Sequence, residues 1–384
     1  MIYLDYNATT PVDKRVVETM IDVYLRHVGN AGSRTHLHGD DCRRIVEDSR
    51  RNLAELLGVD SSEVFFTSGA TESDNLALLG LMEYGEKNGL NHVLVSAVEH
   101  KAVLNAAEAM AGSGFEIERI PVNENGEIDV EDTLSRIRPN TLVVSVMHAN
   151  NETGVIQPVA ELGRLLAERC PGVLFHIDAA QSLGKLVNEV RSLTYDLLSG
   201  TAHKMYGPQG IGVLVAKRRG YEPPPIKPLM YGGGQEKGVS PGTQPVSLIA
   251  GFGKAAILCY DEWESDFKHA ERIKELFIAA LKEHDLRFCI NGAGGKTMPT
   301  CCNVCIDGVS SEALMIAAKR SLSISNGSAC TSNSYEPSYV LTAMGLDRQQ
   351  AESSIRVSWG RMLQEDVAKD AFGVLAFLAK GLQG

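Results

Sequence analysis

The chain of 384 residues lacks an excess of basic charge, since 37 Lys and Arg stand against 48 Asp and Glu, for a net charge of −11. Affinity for a nucleic-acid backbone depends on clustered cations, so this balance predicts no direct binding to nucleic acid. Long hydrophobic runs are also missing, and the longest, 141–147 and 173–177, have the length of strands. The first residues lack the basic and apolar parts of an export signal. We therefore expect a cytoplasmic protein without membrane contact.

Internal repeats and low-complexity segments are absent as well, which excludes solenoid and linker architectures. The eight cysteines are unevenly spaced, and in a reducing compartment we expect them to remain thiols. Cys301, Cys302 and Cys305 are close together in the sequence, which suggests a metal site. However, they lie in an apolar strand-like run without a second Cys or His pair at ligand spacing, so we interpret them as core residues and predict no metal site.

Short apolar runs alternate with helical patterns through most of the chain, which predicts an α/β domain with a mainly parallel sheet. The predicted strands are 64–67, 93–96, 117–121, 142–147, 174–178 and 211–216. The predicted helices are 16–28, 41–57, 72–82, 102–110, 130–137, 160–169 and 246–283. The pattern changes near residue 246, so we place a domain boundary inside the last of these helices.

The segment 196–212 carries Lys204 between polar side chains and a glycine-rich turn. Ser199, Thr201 and His203, just before it, can all donate hydrogen bonds. A lysine beside such donors suits pyridoxal phosphate, which carries both an aldehyde and a phosphate, because the amine can form a Schiff base. A surface lysine beside a polar turn is the alternative.

Asp178 ends a predicted strand, where a carboxylate is costly unless a cation faces it. A protonated pyridine nitrogen would be such a cation, and capping of the next helix is the alternative. Asp178 lies 26 residues before Lys204, which is enough for one crossover between parallel strands. Both side chains can then reach the sheet edge where such folds bind ligands.

Other polar residues also follow predicted strands. The segment 68–72 opens a helix, so its free N–H groups favour an anion, with a plain threonine-capped turn as the alternative. His100 could stack on a cofactor ring and move protons, or could be structural. Asn151 and Gln181 could bond the ring hydroxyl or the substrate carboxylate.

Cys330 lies in a run of small and polar residues, 325–339, whereas Cys259 and Cys289 have apolar neighbours. An exposed cysteine on a loop is a candidate nucleophile, and an incidental thiol is the alternative. Arg356 is a lone cation in a strand-like segment and suits a two-point contact with a carboxylate.

Together these stretches resemble the cysteine desulfurases of the NifS/IscS type, pyridoxal-phosphate enzymes of the aminotransferase class V group. The matching stretches are LDYNATTP (4–11), TSGATESDN (67–75), EHKAV (99–103), HANNETG (148–154), HIDAAQS (176–182), AHKMYGPQG (202–210), GGGQE (232–236), GSACTS (327–332) and EPSYVL (336–341). They occur in family order, so the resemblance covers nearly the whole chain.

The resemblance implies the fold-type I architecture of pyridoxal-phosphate-dependent transferases. We expect a large α/β domain at 14–256 with a mainly parallel seven-stranded sheet, and a smaller α+β domain formed by 1–13 and 257–384. The resemblance also implies a homodimer with its active site at the subunit interface, L-cysteine as substrate, and a sulfur-acceptor protein as partner.

The resemblance further implies residue roles. Lys204, Cys330 and His100 would be catalytic, while Asn151 and Arg356 would bind the substrate carboxylate. The cofactor contacts would be Ala70, Thr71, His100, Asn151, Asp178, Gln181, Thr201, His203, Lys204 and, from the other subunit, Thr243.

Three features depart from the family pattern. Ser240 stands where an arginine is frequent, Glu352 where a histidine is frequent, and the sequence stops at Gly384 without the tail of the iron–sulfur-type enzymes. The segments 29–36 and 232–236 look most similar to the desulfurases of DNA phosphorothioation systems, which gives a hypothesis for the pathway. A housekeeping role in iron–sulfur or tRNA-thiolation chemistry is the alternative.

The reaction implied is conversion of L-cysteine to L-alanine, with the sulfur left as a persulfide on Cys330. Lys204 would take the α-proton, Asp178 would keep the ring nitrogen protonated, and His100 would handle a proton. Two other functions remain open: another fold-type I enzyme, such as an aminotransferase or lyase, which would not need Cys330, and a non-catalytic scaffold.

Overall fold

The computed structural model describes residues 1–220, 222–326 and 337–383, and every structural statement below concerns these residues. Its helices are α1 (Lys14–Arg26), α2 (Leu37–Leu57), α3 (Ala70–Leu79), α4 (Met82–Asn88), α5 (Lys101–Ala111), α6 (Val130–Ser135), α7 (Val159–Arg169), α8 (Val187–Ser192), α9 (Val246–Glu283), α10 (Ser311–Ala318), α11 (Tyr339–Ala343), α12 (Arg348–Glu352) and α13 (Glu365–Gln383). Short 3-10 turns occur at Ser61–Glu63, Ala202–Lys204 and Gln235–Gly238.

Its strands form three sheets. They are β1 (Ile2–Tyr3), β2 (Val64–Thr67), β3 (His92–Ser96), β4 (Glu116–Ile120), β5 (Thr141–Ser145), β6 (Leu174–Asp178), β7 (Leu197–Thr201), β8 (Gly212–Ala216), β9 (Phe288–Ile290), β10 (Cys301–Ile306), β11 (Leu322–Ser323) and β12 (Ser354–Ser358).

The largest sheet has seven strands in the order β2-β8-β7-β6-β5-β3-β4. All pairs are parallel except those of β8, which runs antiparallel to both β2 and β7. The alternation of strands with helices in the sequence follows from this arrangement, because parallel neighbours require crossover helices. The predicted α/β fold with a mainly parallel sheet is confirmed.

Helices cover both faces of this sheet. Successive side chains of a strand point to opposite faces, so each strand contacts helices on both sides. In β3, Val93 and Val95 pack with Leu76 of α3 on one face. Leu94, between them, belongs to the cluster on the other face that includes Leu53 of α2. Strands buried on both faces read as continuous apolar runs, as these do.

A second core lies around the antiparallel sheet β12-β10-β9. Phe277, Trp359 and Phe372 form its aromatic centre, with ring centroids 5.1–5.8 Å apart. Helix α9 contributes to both cores, since Cys259 lies in the first and Phe277 in the second. The division of the chain at 256 and 257 remains a prediction.

Several local features differ from the sequence-based expectations. β7, α4 and α8 were not predicted as separate elements. The apolar surroundings predicted for Cys289 are wrong: its side chain is exposed, because in β9 Phe288 and Ile290 turn towards the second core and the residue between them turns away. Cys301, Cys302 and Cys305 are buried on β10, as expected of core residues.

No helix of the described chain combines the length and apolar character needed to cross a bilayer. No group of three or more His, Cys, Asp or Glu side chains within it could hold a metal ion.

Candidate active site

A cavity of about 770 Å³ lies beyond the carboxyl ends of β6 and β7, beside the start of α3. This is the edge where parallel α/β sheets bind ligands. The sequence-predicted residues that line the cavity are Ala70, Thr71, His100, Asn151, Asp178, Gln181, Thr201, His203, Lys204 and Arg356. The fold therefore brings together side chains that are up to 286 residues apart in sequence.

Lys204 ends a 3-10 turn that directly follows β7, so its side chain is presented at the edge of the sheet. Its ammonium donates hydrogen bonds to the backbone carbonyls of Asn7 and, at 2.7 Å, Ala8. Burial, together with the positive charges of Lys185 and Arg356, lowers the pKa of Lys204 to about 7. A substantial fraction of its amine is thus unprotonated at neutral pH, which a nucleophilic lysine requires.

The N-terminal segment fixes the backbone around Lys204. The backbone amide of Thr10 donates to the carbonyl of His203 at 2.9 Å. The hydroxyl of Thr10 accepts from the amide of Tyr206 at 2.8 Å. Tyr206 has a φ of +64°, which is uncommon for a bulky residue. Its ring lies under the guanidinium of Arg361, with 3.9 Å from the ring centroid to the guanidinium carbon. These contacts hold the turn in one conformation.

Asp178 and His100 line the same cavity as Lys204. Asp178 is buried at the end of β6, and its Oδ1 accepts from the amide of Ala180 at 2.8 Å. Burial raises the pKa of Asp178, while the amide of Ala180, His100 and Lys204 oppose the shift. His100 is the N-cap of α5, and its side chain accepts from the amide of Ala102 at 3.2 Å. The same side chain also lines the cavity.

The start of α3 offers free backbone donors. Its N-cap is Gly69, which has no side chain to cap the helix, and Ala70 and Thr71 follow at the cavity wall. Gly212 of β8 packs so closely that a Cβ there would lie 2.6 Å from Gly69 Cα. Glycine at 212 is therefore required for this close approach, and the unpaired N–H groups of the helix start are suited to an anion.

Two predicted donors have other contacts. Ser199 does not line the cavity, because its hydroxyl lies 2.9 Å from Nε2 of the buried His176. His203 lines the cavity, with its Nδ1 3.1 Å from the hydroxyl of Thr9. Burial, then the positive charges of Lys204 and Lys185, lower the pKa of His203 to about 4, so its ring is neutral at physiological pH.

Several buried polar atoms of the cavity have no hydrogen-bond partner within the described residues. They include Asn151 Oδ1, Gln181 Oε1 and Arg356 Nε. Native structures rarely leave such atoms unsatisfied unless a ligand or water completes the site. A carboxylate would satisfy Arg356, and a ring hydroxyl would satisfy Gln181. With an amine of lowered pKa, a buried carboxyl group and an anion-binding helix start, the residues fit pyridoxal phosphate.

The lining residues to which the sequence analysis assigned no role include Asp5, Asn7, Ala8 and Asp74. They lie in motifs that were noticed, at 4–11 and 67–75, but no role was assigned to them. Backbone carbonyls such as those of Asn7 and Ala8 carry no side-chain signal. Asp5 and Asp74 are carboxylates in apolar or small-residue surroundings, which could have marked them as candidates.

Thr243 is exposed and does not line the cavity of its own chain, so its contact with the other subunit remains a prediction. Cys330 lies outside the described residues. Ser240, at one of the departures from the family pattern, donates to Glu72 Oε1 at 2.7 Å.

Comparisons with known proteins agree with this geometry. The profile of the family described as aminotransferase class V matches residues 2–369. A mitochondrial cysteine desulfurase of Eremothecium gossypii is 44% identical over 366 residues, which cover 95% of this chain and 73% of that protein.

Two solved structures are also similar. A NifS-like protein superimposes with a TM-score of 0.91 at 32% identity, covering 99% of this chain and 100% of that one. DndA from Streptomyces lividans superimposes with a TM-score of 0.80 at 42% identity, covering 91% of this chain and 97% of that one.

Proposed function

Because the chain belongs to the aminotransferase class V family and is a pyridoxal-phosphate-dependent cysteine desulfurase, we propose that it forms a persulfide on Cys330 and supplies sulfur for DNA phosphorothioation. The observation that carries the catalytic part is the cavity at Lys204, where an amine of lowered pKa faces Asp178 beside unsatisfied polar atoms. The pathway is supported by the stretches at 29–36 and 232–236 and by the similarity to DndA.

In the proposed site, each residue has a defined task. Lys204 would hold the aldehyde of the cofactor, the start of α3 with Thr201 and His203 its phosphate, and Asp178 its ring nitrogen. When bound, pyridoxal phosphate supplies an electron sink for the negative charge that develops at the substrate Cα. Arg356 and Asn151 bind the carboxylate of L-cysteine and so orient its Cα–H bond.

Lys204 and His100 then carry out the proton transfers. The unprotonated amine of Lys204, with its pKa of about 7, accepts the proton from Cα at neutral pH. Burial lowers the pKa of His100, so its ring is mainly neutral and can accept the proton that Cys330 releases when it becomes a thiolate. The protonated ring nitrogen would favour the ionised form of Asp178, to which the amide of Ala180 also donates.

Sulfur transfer requires a thiolate on the enzyme. Cys330 attacks the substrate sulfur, an S–S bond forms, and the Cβ–Sγ bond breaks with its electron pair going to the carbon side. Protonation of that side gives alanine. Asn326, which lines the cavity, stands four residues before Cys330, a reach of at most roughly 14 Å in an extended chain. This reach supports Cys330 as the nucleophile, and a thiol is preserved in a reducing compartment, the cytoplasm.

The experiment for this proposal is a single turnover with L-cysteine, in which alanine and protein-bound persulfide are both measured. Cys330→Ala should lose both products while keeping the colour of the bound cofactor. Cys289→Ala is the matched control, because it removes an exposed thiol far from the cavity and should behave as wild type. Alanine formation at the wild-type rate by Cys330→Ala would remove Cys330 from the mechanism.

The pathway needs a separate test in the cell. Deletion of the gene should abolish sulfur in DNA and leave the activity of iron–sulfur enzymes unchanged. The opposite result would support the housekeeping function, which the similarity to the Eremothecium gossypii enzyme favours.

The homodimer also belongs to the proposal. Helix α1 exposes Ile21 and Leu25, and the segment before Thr243 exposes Met230 and Tyr231, the last with 91% of its surface accessible. Large exposed apolar side chains such as these are typical of surfaces that another chain covers. Analytical ultracentrifugation should give a dimer for the wild type and a monomer for Leu25→Glu combined with Tyr231→Glu, and a wild-type monomer would contradict the proposal.

A further inference from the structure

Asp74 is a buried carboxyl group to which the proposed reaction assigns no role. It lies on the second turn of α3, with 1% of its surface accessible, and it lines the same cavity as Asp178. Within the described chain, neither of its side-chain oxygens has a hydrogen-bond partner. A carboxylate in these surroundings would be strongly disfavoured, because no hydrogen bond of normal length within the described chain replaces the water it has lost.

The neighbours of Asp74 on the sheet provide no positive charge. His176 Nε2 lies 3.6 Å from Asp74 Oδ1, but burial lowers the pKa of His176 to about 3, so the ring is neutral. The hydroxyls of Ser145 and Ser199 lie 2.8 and 2.9 Å from the two nitrogens of that ring and fix its orientation. The histidine is therefore a neutral neighbour rather than a counter-ion.

The remaining elements packed against α3 also provide no counter-ion for Asp74 within the described residues. β2 and β8 contain no titratable residue, and the ionisable residues of α5, Lys101 and Glu108, are exposed. Burial, then the negative charges of Asp178 and Glu99, raise the pKa of Asp74 well above its usual range, and the hydroxyl of Ser199 opposes the shift without cancelling it. The nearest cation, Lys204, acts on Asp178.

We propose that Asp74 is a positioning residue of the cofactor site, whose carboxyl group carries a proton and leaves Asp178 as the ionised member of the pair. The cavity floor then has one negative charge at these two residues, which matches the single positive charge of a protonated ring nitrogen. A second negative charge there would repel Asp178 and favour its protonation. The inference rests on the proposed function, because the ring nitrogen defines the task of Asp178.

The first test is infrared spectroscopy of the apoprotein, prepared without pyridoxal phosphate, at neutral pH. The difference spectrum of wild type minus Asp74→Asn should contain the carbonyl band of a protonated carboxylic acid. Asp196→Asn is the control, because Asp196 is a buried carboxylate paired with Arg219 at 2.5 Å, and its difference spectrum should contain carboxylate bands. Carboxylate bands in the Asp74→Asn spectrum would overturn the proposal.

The second test is the thermal stability of the same apoproteins as a function of pH. An aspartate has a pKa of about 3.9 in the unfolded chain, and a raised folded pKa means that wild type loses stability relative to Asp74→Asn as pH rises above this value. We expect equal midpoints near pH 4 and a midpoint about 2 °C higher for Asp74→Asn at pH 8. Asp196→Asn should instead be destabilised at pH 8.

A lower midpoint of Asp74→Asn at pH 8 would show that an ionised Asp74 stabilises the fold, and would overturn the proposal. If Asp74→Asn does not fold, Asp74→Leu, which has a similar shape and cannot ionise, takes its place in both tests with the same expected results. Neither test uses cofactor or cysteine, so their failure is distinct from failure of the proposed desulfurase reaction.

Discussion

Asp5 and Arg356 form an ion pair across the candidate active site, with 2.6 Å between a carboxylate oxygen and a terminal guanidinium nitrogen. The other terminal nitrogen of Arg356 donates to the carbonyl of Asn151 at 2.8 Å. These two contacts fix the plane of the guanidinium and leave its Nε unpartnered within the described chain. The residue expected to bind the substrate carboxylate is therefore held in place before the substrate arrives.

Asp5→Asn tests this positioning. Loss of the charged partner should let the guanidinium of Arg356 rotate, so we expect the KM for L-cysteine to rise roughly fivefold, equivalent to about 1 kcal/mol, with little change in kcat. Steady-state kinetics of alanine formation measures both constants. Asp307→Asn removes a carboxylate from an exposed pair with Arg287 and is the control. A decrease in KM would mean that Asp5 competes with the substrate carboxylate.

Lys185→Met tests the electrostatic setting of Lys204. Burial lowers the pKa of Lys185 to about 8, and its positive charge contributes to the lowered pKa of Lys204. Without that charge, the pKa of Lys204 should rise above about 7, so a higher pH is needed for its amine to react. The rate at which the apoprotein reacts with a small aldehyde, measured against pH, reports this midpoint.

The control for that experiment is Lys217→Met. Lys217 is a half-buried lysine whose ammonium lies 4.1 Å from the centroid of the Tyr195 ring, and it does not line the cavity. Its variant should keep the midpoint of wild type. A Lys185→Met midpoint equal to that of wild type would show that burial alone sets the pKa of Lys204.

Glu236→Gln tests the segment that leads to Thr243. Glu236 forms a buried pair with Arg50 at 2.7 Å and also accepts from the amide of Phe66 at 2.9 Å. Removing its charge leaves Arg50 buried without a full counter-charge, so we expect the free energy of unfolding to fall by about 3–5 kcal/mol. Denaturant unfolding of the apoprotein measures the change.

Glu47→Gln provides the comparison, because Glu47 contacts the same arginine at 3.3 Å but is exposed. Exposed pairs contribute little, so its cost should be at most about 1 kcal/mol. Equal costs for Glu47→Gln and Glu236→Gln would contradict the importance of burial at Glu236.

Gly360→Ala tests the packing behind Lys204. A Cβ at residue 360 would lie 2.2 Å from the hydroxyl oxygen of Tyr206, which cannot move easily because its ring is held under Arg361. We expect a loss of about 1–3 kcal/mol in stability and weaker retention of the cofactor. Gly373→Ala, at a helical position with open space around it, should instead stabilise the protein by about 0.5–1 kcal/mol.

The sequence predicted the strands and helices whose patterns are longest and most regular. β2, β6 and α9 have the predicted bounds, since their apolar runs end at polar or turn residues. β7 was not recognised as a strand, because Ser199 and Gly200 interrupt its apolar run after only Leu197 and Leu198. Here tertiary packing decides the structure against local propensity.

For the site, spacing placed Asp178 and Lys204 at one edge of the sheet, as neighbouring parallel strands require. The same reasoning could not find Asp5, whose partner Arg356 is 351 residues away, or the carbonyls that accept from Lys204. Such contacts depend on how the ends of the chain cross the sheet. No local pattern encodes them.

The contacts of the N-terminal segment have a consequence for synthesis of the protein on the ribosome. Residues 2–6 bond to β11, Arg356 and Ser358, which are synthesised more than 300 residues later. The large sheet has all of its strands by Ala216 and can form earlier. The pocket around Lys204 is completed only after β12 has left the ribosome, so nascent chains that end before β12 should not retain the cofactor.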